Sequence, residues 1–142
     1  MSDAHLGHVH LKVTDLDRAV EFYTGLLDLA VTERHASFAF LSFGDHHHDL
    51  ALQAHKGASS PPPQSTGLYH VAFELDALAA VGDAYEWLAD REITVSPVDH
   101  GISKAIYFDD PDGNGVELYV DTRETGDERW NGENSRFDPA RI

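Results

Sequence analysis

Gly7-His8-Val9-His10-Leu11-Lys12-Val13 and Tyr69-His70-Val71-Ala72-Phe73-Glu74-Leu75 are two copies of one pattern, a histidine that opens a short run of alternating apolar and polar residues. Side chains of a strand point to opposite faces in turn, so Val9, Leu11 and Val13 share one face while His8, His10 and Lys12 share the other. In the second copy Val71, Phe73 and Leu75 oppose His70, Ala72 and Glu74. His8 and His70 therefore hold equivalent places, 62 residues apart. An aspartate and an amphipathic stretch follow each copy, which predicts a duplicated β-α-β-β-β unit. A pseudo-twofold pairing of the two units would bring His8 and His70 together.

Outward from these runs the pattern is regular. Asp15 can cap a helix in which Ala19, Val20, Phe22, Tyr23, Leu26 and Leu27 recur at helical spacing. Period two returns over residues 29–34, 37–43 and 48–54, which predicts an antiparallel meander with Gly44-Asp45 at a turn. Residues 57–67 contain three successive prolines and no large apolar side chain, the composition of a linker. Beyond it Leu78, Val81, Tyr85, Trp87 and Leu88 predict a second helix, and residues 93–97 and 103–108 two strands. The turn chemistry of Asp110-Pro111-Asp112-Gly113-Asn114-Gly115 returns the chain into a strand over residues 116–120. The expected organisation is one domain over residues 1–121, with modules at about 6–56 and 68–121 joined by the linker, then a polar extension over 122–142. Its isolated rings, Trp130 and Phe137, are the expected anchors if the extension docks.

Composition limits the function. With 142 residues the chain suits a single core, and 10 Lys and Arg against 25 Asp and Glu leave a formal charge of −15. That charge argues against nucleic acid or an anionic membrane as partner. There is no cysteine, so disulfides, thiolate metal sites and cysteine nucleophiles are excluded. No apolar run reaches membrane-spanning length and the first six residues lack a secretory pattern, so a cytoplasmic protein is expected.

One residue breaks the pattern. Val116, Leu118 and Val120 form an apolar face, whereas Glu117 shares the opposite face with Tyr119, the kind of face that carries the histidines. A carboxylate on a sheet face is costly unless solvated, paired or bound to a metal. Two imidazoles and a carboxylate are the donor set of the facial triad, which leaves three positions open on an octahedral Fe(II). On spacing alone each of His8, His70 and Glu117 reads more readily as an exposed strand residue than as a ligand; the repeat favours the two histidines and says nothing of Glu117.

Residues 7–23, from Gly7-His8-Val9-His10 to Glu21-Phe22-Tyr23, resemble the opening signature of the vicinal oxygen chelate superfamily, and residues 110–119, Asp110-Pro111-Asp112-Gly113-Asn114-Gly115-Val116-Glu117-Leu118-Tyr119, its closing one. That superfamily spans glyoxalase I, bleomycin- and fosfomycin-resistance proteins, methylmalonyl-CoA epimerase and type I extradiol dioxygenases. The resemblance implies an α+β fold of two βαβββ modules forming a half-open, barrel-like cup around a divalent metal, with His8, His70 and Glu117 as ligands. Within the superfamily, His46-His47-His48-Asp49-Leu50-Ala51-Leu52 resembles a run of the extradiol dioxygenases whose second histidine is the active-site acid and base, which maps onto His48. The segment from Asp99 and His100 to Tyr107 and Phe108 resembles their later segment, where a histidine and a tyrosine hydrogen-bond substrate and oxygen; these map onto His100 and Tyr107.

The resemblance thus implies a metal-dependent, ring-cleaving extradiol dioxygenase of aromatic compound catabolism, with Fe(II), or alternatively Mn(II), as cofactor and a catechol-type diol and O₂ as substrates. A homodimer is the expected assembly. The alternatives are a glyoxalase- or epimerase-like enzyme, in which Gln53 would be a fourth ligand, and a non-catalytic small-molecule binding protein of the bleomycin-resistance kind. Ala51 occupies the position aligned with that fourth ligand and cannot bind metal; Gln53 is on the same face, two residues on.

Overall fold

The computed structural model describes residues 3–142, which divide between Pro62 and Pro63 into two compact units. Each unit has the β-α-β-β-β order that the repeat predicts. In the first, β1 (Val9–Val13) leads to α1 (Leu16–Leu27), then β2 (Ala30–Arg34), β3 (Phe38–Ser42) and β4 (Leu50–Ala54), in sheet order β1-β4-β3-β2. The β1–β4 pair is parallel and the others are antiparallel. In the second, β5 (Val71–Glu74), α2 (Leu78–Ala89), β6 (Ser96–Asp99), β7 (Ser103–Asp109) and β8 (Gly115–Asp121) repeat the arrangement as β5-β8-β7-β6. No helix among the described residues is long and apolar enough to cross a membrane.

Each sheet has one face against its own helix. In the first unit Leu11 and Val13 are buried while His10 and Lys12 are exposed, as alternation requires. They pack with Leu16, Ala19, Phe22 and Tyr23 of α1 and with Leu41, Leu50 and Leu52. Each large aliphatic side chain so buried contributes about 1.5–3 kcal/mol. The side chain of Asp15 accepts from Arg18 N–H at 3.1 Å, the cap expected of it, and Asp28 closes the helix in the left-handed region at φ 53°. The second core uses Val81, Ala84 and Leu88 of α2 against Val71, Phe73, Ile106, Val116 and Leu118. Trp87 is only half-buried on the flank of α2, with the Arg91 guanidinium 3.6 Å above its ring.

Two strand boundaries differ from the sequence pattern for local reasons. β6 starts at Ser96 because the turn after α2 runs on: Ile93 N–H still donates to Leu88 O at 3.1 Å, and Glu92 has φ 57°. Pro97 is tolerated because β6 is an edge strand. β4 starts at Leu50 because the preceding loop is claimed by side chains. Asp49 Oδ2 accepts from Phe43 N–H at 2.8 Å, Ser42 Oγ donates to His46 O at 2.5 Å, and Thr32 Oγ1 donates to His47 O at 2.7 Å. These bonds fix the backbone that carries His46, His47 and His48.

The polar C-terminal segment docks within the second unit. Ser135 forms a two-bond bridge with Asp99, and a short 3₁₀ helix (Pro139–Arg141) lies against α2 with Pro139 buried. Pro139 is the buried residue of this segment, Phe137 is half-buried, and Trp130 is 53% exposed.

Gly115 is where β8 crosses closest to the segment before β5. A Cβ built there would lie 2.3 Å from Tyr69 O and 3.3 Å from His70 Cβ. Gly115→Ala should therefore cost roughly 1–3 kcal/mol, as forced overpacking does, and displace His70. Denaturant unfolding of the variant checks this; an unchanged midpoint would refute the close crossing.

Candidate functional site

The register of the second sheet sets Ala72, Glu117, Tyr107 and Ser96 in one row on the face away from α2. The Glu117 carboxylate is 12% exposed and each of its oxygens is engaged. Oε2 lies 2.9 Å from His70 Nε2, and Oε1 accepts from the Tyr107 hydroxyl at 2.9 Å. Tyr107 Oη is in turn 2.8 Å from His100 Nε2, and His100 Nδ1 is 2.7 Å from Asn134 Oδ1. Burial, then the hydrogen bond to Glu117 and its charge, push the Tyr107 phenol far above its ordinary value, so it remains a hydrogen-bond donor. A cavity of about 700 Å³ opens beside this string, lined by Tyr69, His70, Val98, His100, Tyr107 and Asn134 among others.

In the first unit the corresponding face carries imidazoles. The ring of His8 lies 4.4 Å from that of His48, which also lies 4.9 Å from Phe40. His47 links His48 to Glu33, with Nδ1 2.9 Å from His48 Nδ1 and Nε2 2.9 Å from Glu33 Oε1. Burial, then the neighbouring His8, hold His48 below the usual histidine value. It is therefore the neutral ring, a proton acceptor, at neutral pH.

The two registers also show what replaces Glu117 in the first unit. Ala72 pairs with Glu117 and His10 pairs with Ala51. Since His10 and Ala72 each stand two places after the repeated histidine, Ala51 is the equivalent of Glu117. Gln53, opposite Lys12, is the equivalent of Tyr119, opposite Glu74.

The donor set can be tested against a metal. An octahedral ion with bonds of about 2.0–2.2 Å separates adjacent donors by about 3 Å, and His70 Nε2 and Glu117 Oε2 are 2.9 Å apart. These two fit adjacent positions on one ion. No group of three His, Cys, Asp or Glu among the described residues is already gathered as a metal cluster. Of the six sequence candidates, then, His70, Glu117, Tyr107 and His100 form one connected string, and His8 and His48 form a ring pair. Asn134 at the end of the string was not a sequence candidate; it stands in a stretch without periodicity, and only the Asp99–Ser135 bridge brings it there.

The model of the glyoxalase/bleomycin resistance protein/dioxygenase superfamily matches residues 5–118. The chain belongs to this superfamily. Among its members, biphenyl-2,3-diol 1,2-dioxygenase 2 of Rhodococcus globerulus is 34% identical over 85% of this chain. The chain spans 65% of that relative's length. Metallothiol transferase FosB of Staphylococcus epidermidis is 30% identical, with 96% of each chain covered. Among solved structures, a superfamily domain from Frankia sp. EAN1pec aligns with a TM-score of 0.71 at 23% identity, covering 84% of this chain and 99% of that one. The superfamily thus includes enzymes of several activities, and dioxygenases stand among the nearest relatives.

Proposed function

We propose that this protein is a metal-dependent extradiol dioxygenase that opens the ring of a catechol-type diol. His8, His70 and Glu117 hold the metal, Fe(II) by preference, and the expected homodimer and cytoplasmic location belong to the same reading. The observation that carries it is the string His70, Glu117, Tyr107, His100, of which His70, Tyr107 and His100 line a cavity. It joins a carboxylate and imidazole suited to a metal with a neutral phenol and a second imidazole that metal binding alone does not need.

Bound there, the metal supplies the Lewis-acid and redox centre at which diol and O₂ meet. The protein's own groups do the rest. Tyr107, whose one hydroxyl hydrogen goes to Glu117 Oε1 or His100 Nε2 while no diol is bound, would turn that hydrogen to the ring oxygen on which ketone character develops, with His100 beside the phenolic oxygen. His48, neutral because burial and His8 lower its basicity, takes a proton from the diol and later returns it. Tyr69 and Val98 in the cavity wall would orient the flat ring. Domain organisation follows the same reading: two modules joined by residues 57–67 form the catalytic body, and residues 122–142 extend it.

The test is direct. Anaerobic protein loaded with Fe(II) and mixed with a panel of catechols should turn yellow on admission of air, as the ring opens beside the diol. No product from any catechol, with the metal bound, would overturn the proposal. The end-to-end match to a metallothiol transferase favours a second reading, transfer of a thiol to an electrophile on the same ligands. That reading leaves His48, Tyr107 and His100 without tasks, and anaerobic consumption of a thiol by the metal-loaded protein that occurs only when an electrophile is added would decide for it.

A further inference from the structure

We infer that Asn134, carried by the C-terminal segment, is a positioning residue that sets the tautomer and orientation of His100. The dioxygenase reading enters only in the effect on turnover; the positioning itself is read without substrate.

The donor inventory fixes the hydrogens. An indole N–H can only donate, and Trp130 Nε1 is 3.1 Å from Glu133 O and 3.2 Å from Asn134 Oδ1. The Asn134 atom facing the indole is therefore the oxygen, which settles the amide orientation from its network. The same oxygen is 2.7 Å from His100 Nδ1, so Nδ1 must carry a hydrogen. In the neutral ring this leaves a lone pair on Nε2, aimed at Tyr107 Oη 2.8 Å away. The single phenolic hydrogen is given to one acceptor at a time, Glu117 Oε1 or His100 Nε2, so in this tautomer His100 is an acceptor for Tyr107 and never its donor.

The backbone holds this arrangement in advance. Asp99 and Ser135 exchange N–H···O bonds of 2.7 and 3.0 Å, one residue from His100 and Asn134 respectively. On the other side His100 N–H donates to Ser103 O at 2.9 Å, and Gly101, at φ 80°, makes the tight turn between them. The exposed Asn134 amide competes with water, so this preset alignment is what lets its one hydrogen bond to His100 persist.

The experiment measures imidazole nitrogen shifts by NMR in the full chain. Wild-type His100 should show the Nδ1–H tautomer, Asn134→Leu should lose it, and Asn134→Asp, which keeps an acceptor oxygen, should restore it. Where the catechol assay succeeds, kcat should fall about 3–10-fold in Asn134→Leu, the scale of one hydrogen bond, and recover in Asn134→Asp. Should Asn134→Leu not fold, Trp130→Phe removes the donor that orients the amide and should weaken the same Nδ1–H signature. Tautomer and turnover unchanged in Asn134→Leu, or no rescue by Asn134→Asp, would overturn the inference. A tautomer change in a protein that opens no catechol would sink the dioxygenase reading and leave the positioning intact.

Discussion

Replacing Glu117 by glutamine should leave a folded protein that no longer retains a divalent metal. Glutamine keeps the size of the side chain and an oxygen to accept the Tyr107 hydrogen, but it removes the charge that makes the carboxylate a ligand. Partners one shell out from a metal typically cost 10–100-fold in affinity when lost, so loss of the ligand itself should exceed about 100-fold. The fold should not suffer, because Glu117 lies on the face away from the helix-packed core and glutamine keeps an oxygen for the Tyr107 hydroxyl. Stability should fall by about 1 kcal/mol, the scale of one hydrogen bond. Metal analysis after dialysis, beside a denaturant melt, reads both quantities. Glu33→Gln, on an exposed strand among His35 and His47, is the matched control and should keep the metal. Unchanged stoichiometry in Glu117→Gln, or in His70→Ala, would rule the triad out.

How far such a site can be read from sequence depends on which contacts are local. Alternation alone gives the faces: Leu11 and Val13 are buried beside exposed His10 and Lys12, and Val116, Leu118 and Val120 are more buried than Glu117 between them. The duplicated unit follows from the repeat, because the same order of elements needs the same apolar periods. Resemblance supplied the candidate roles of His48, His100 and Tyr107, which no period marks. What stays hidden depends on pairing. The Tyr107–Glu117 bond exists because β7 and β8 register those two residues as direct partners, and no single strand pattern encodes that. Asn134 is further still from view: it reaches His100 across 34 positions through a bridge made by backbone atoms alone. The start of β6 departs from the sequence pattern for the opposite reason, since Ile93 looks like strand yet its N–H remains tied to the end of α2.

Register also sets apart the expectations for His48 and Gln53, where the second large effect is expected. A glyoxalase- or epimerase-like enzyme would draw a fourth ligand from β4. The equivalent of Glu117 on that strand is Ala51, since His10 meets Ala51 just as Ala72 meets Glu117. Gln53 is two residues further on, in the place that Tyr119 occupies in the second unit. Gln53→Ala should therefore leave metal binding intact and change turnover by less than about threefold. His48→Gln should also keep the metal, yet lower kcat about 10²–10⁴-fold, the usual worth of a general acid–base group. The pH profile supplies a second reading of the same residue. Burial is the first cause that lowers the His48 value, so its neutral form persists to more acid pH than an ordinary histidine's. Activity should fall only as pH drops through that lowered value, and this acid limb should vanish in the residual activity of His48→Gln. A Gln53→Ala protein that loses its metal, beside a His48→Gln protein at full activity, would reverse the assignment and make the chain a four-ligand enzyme.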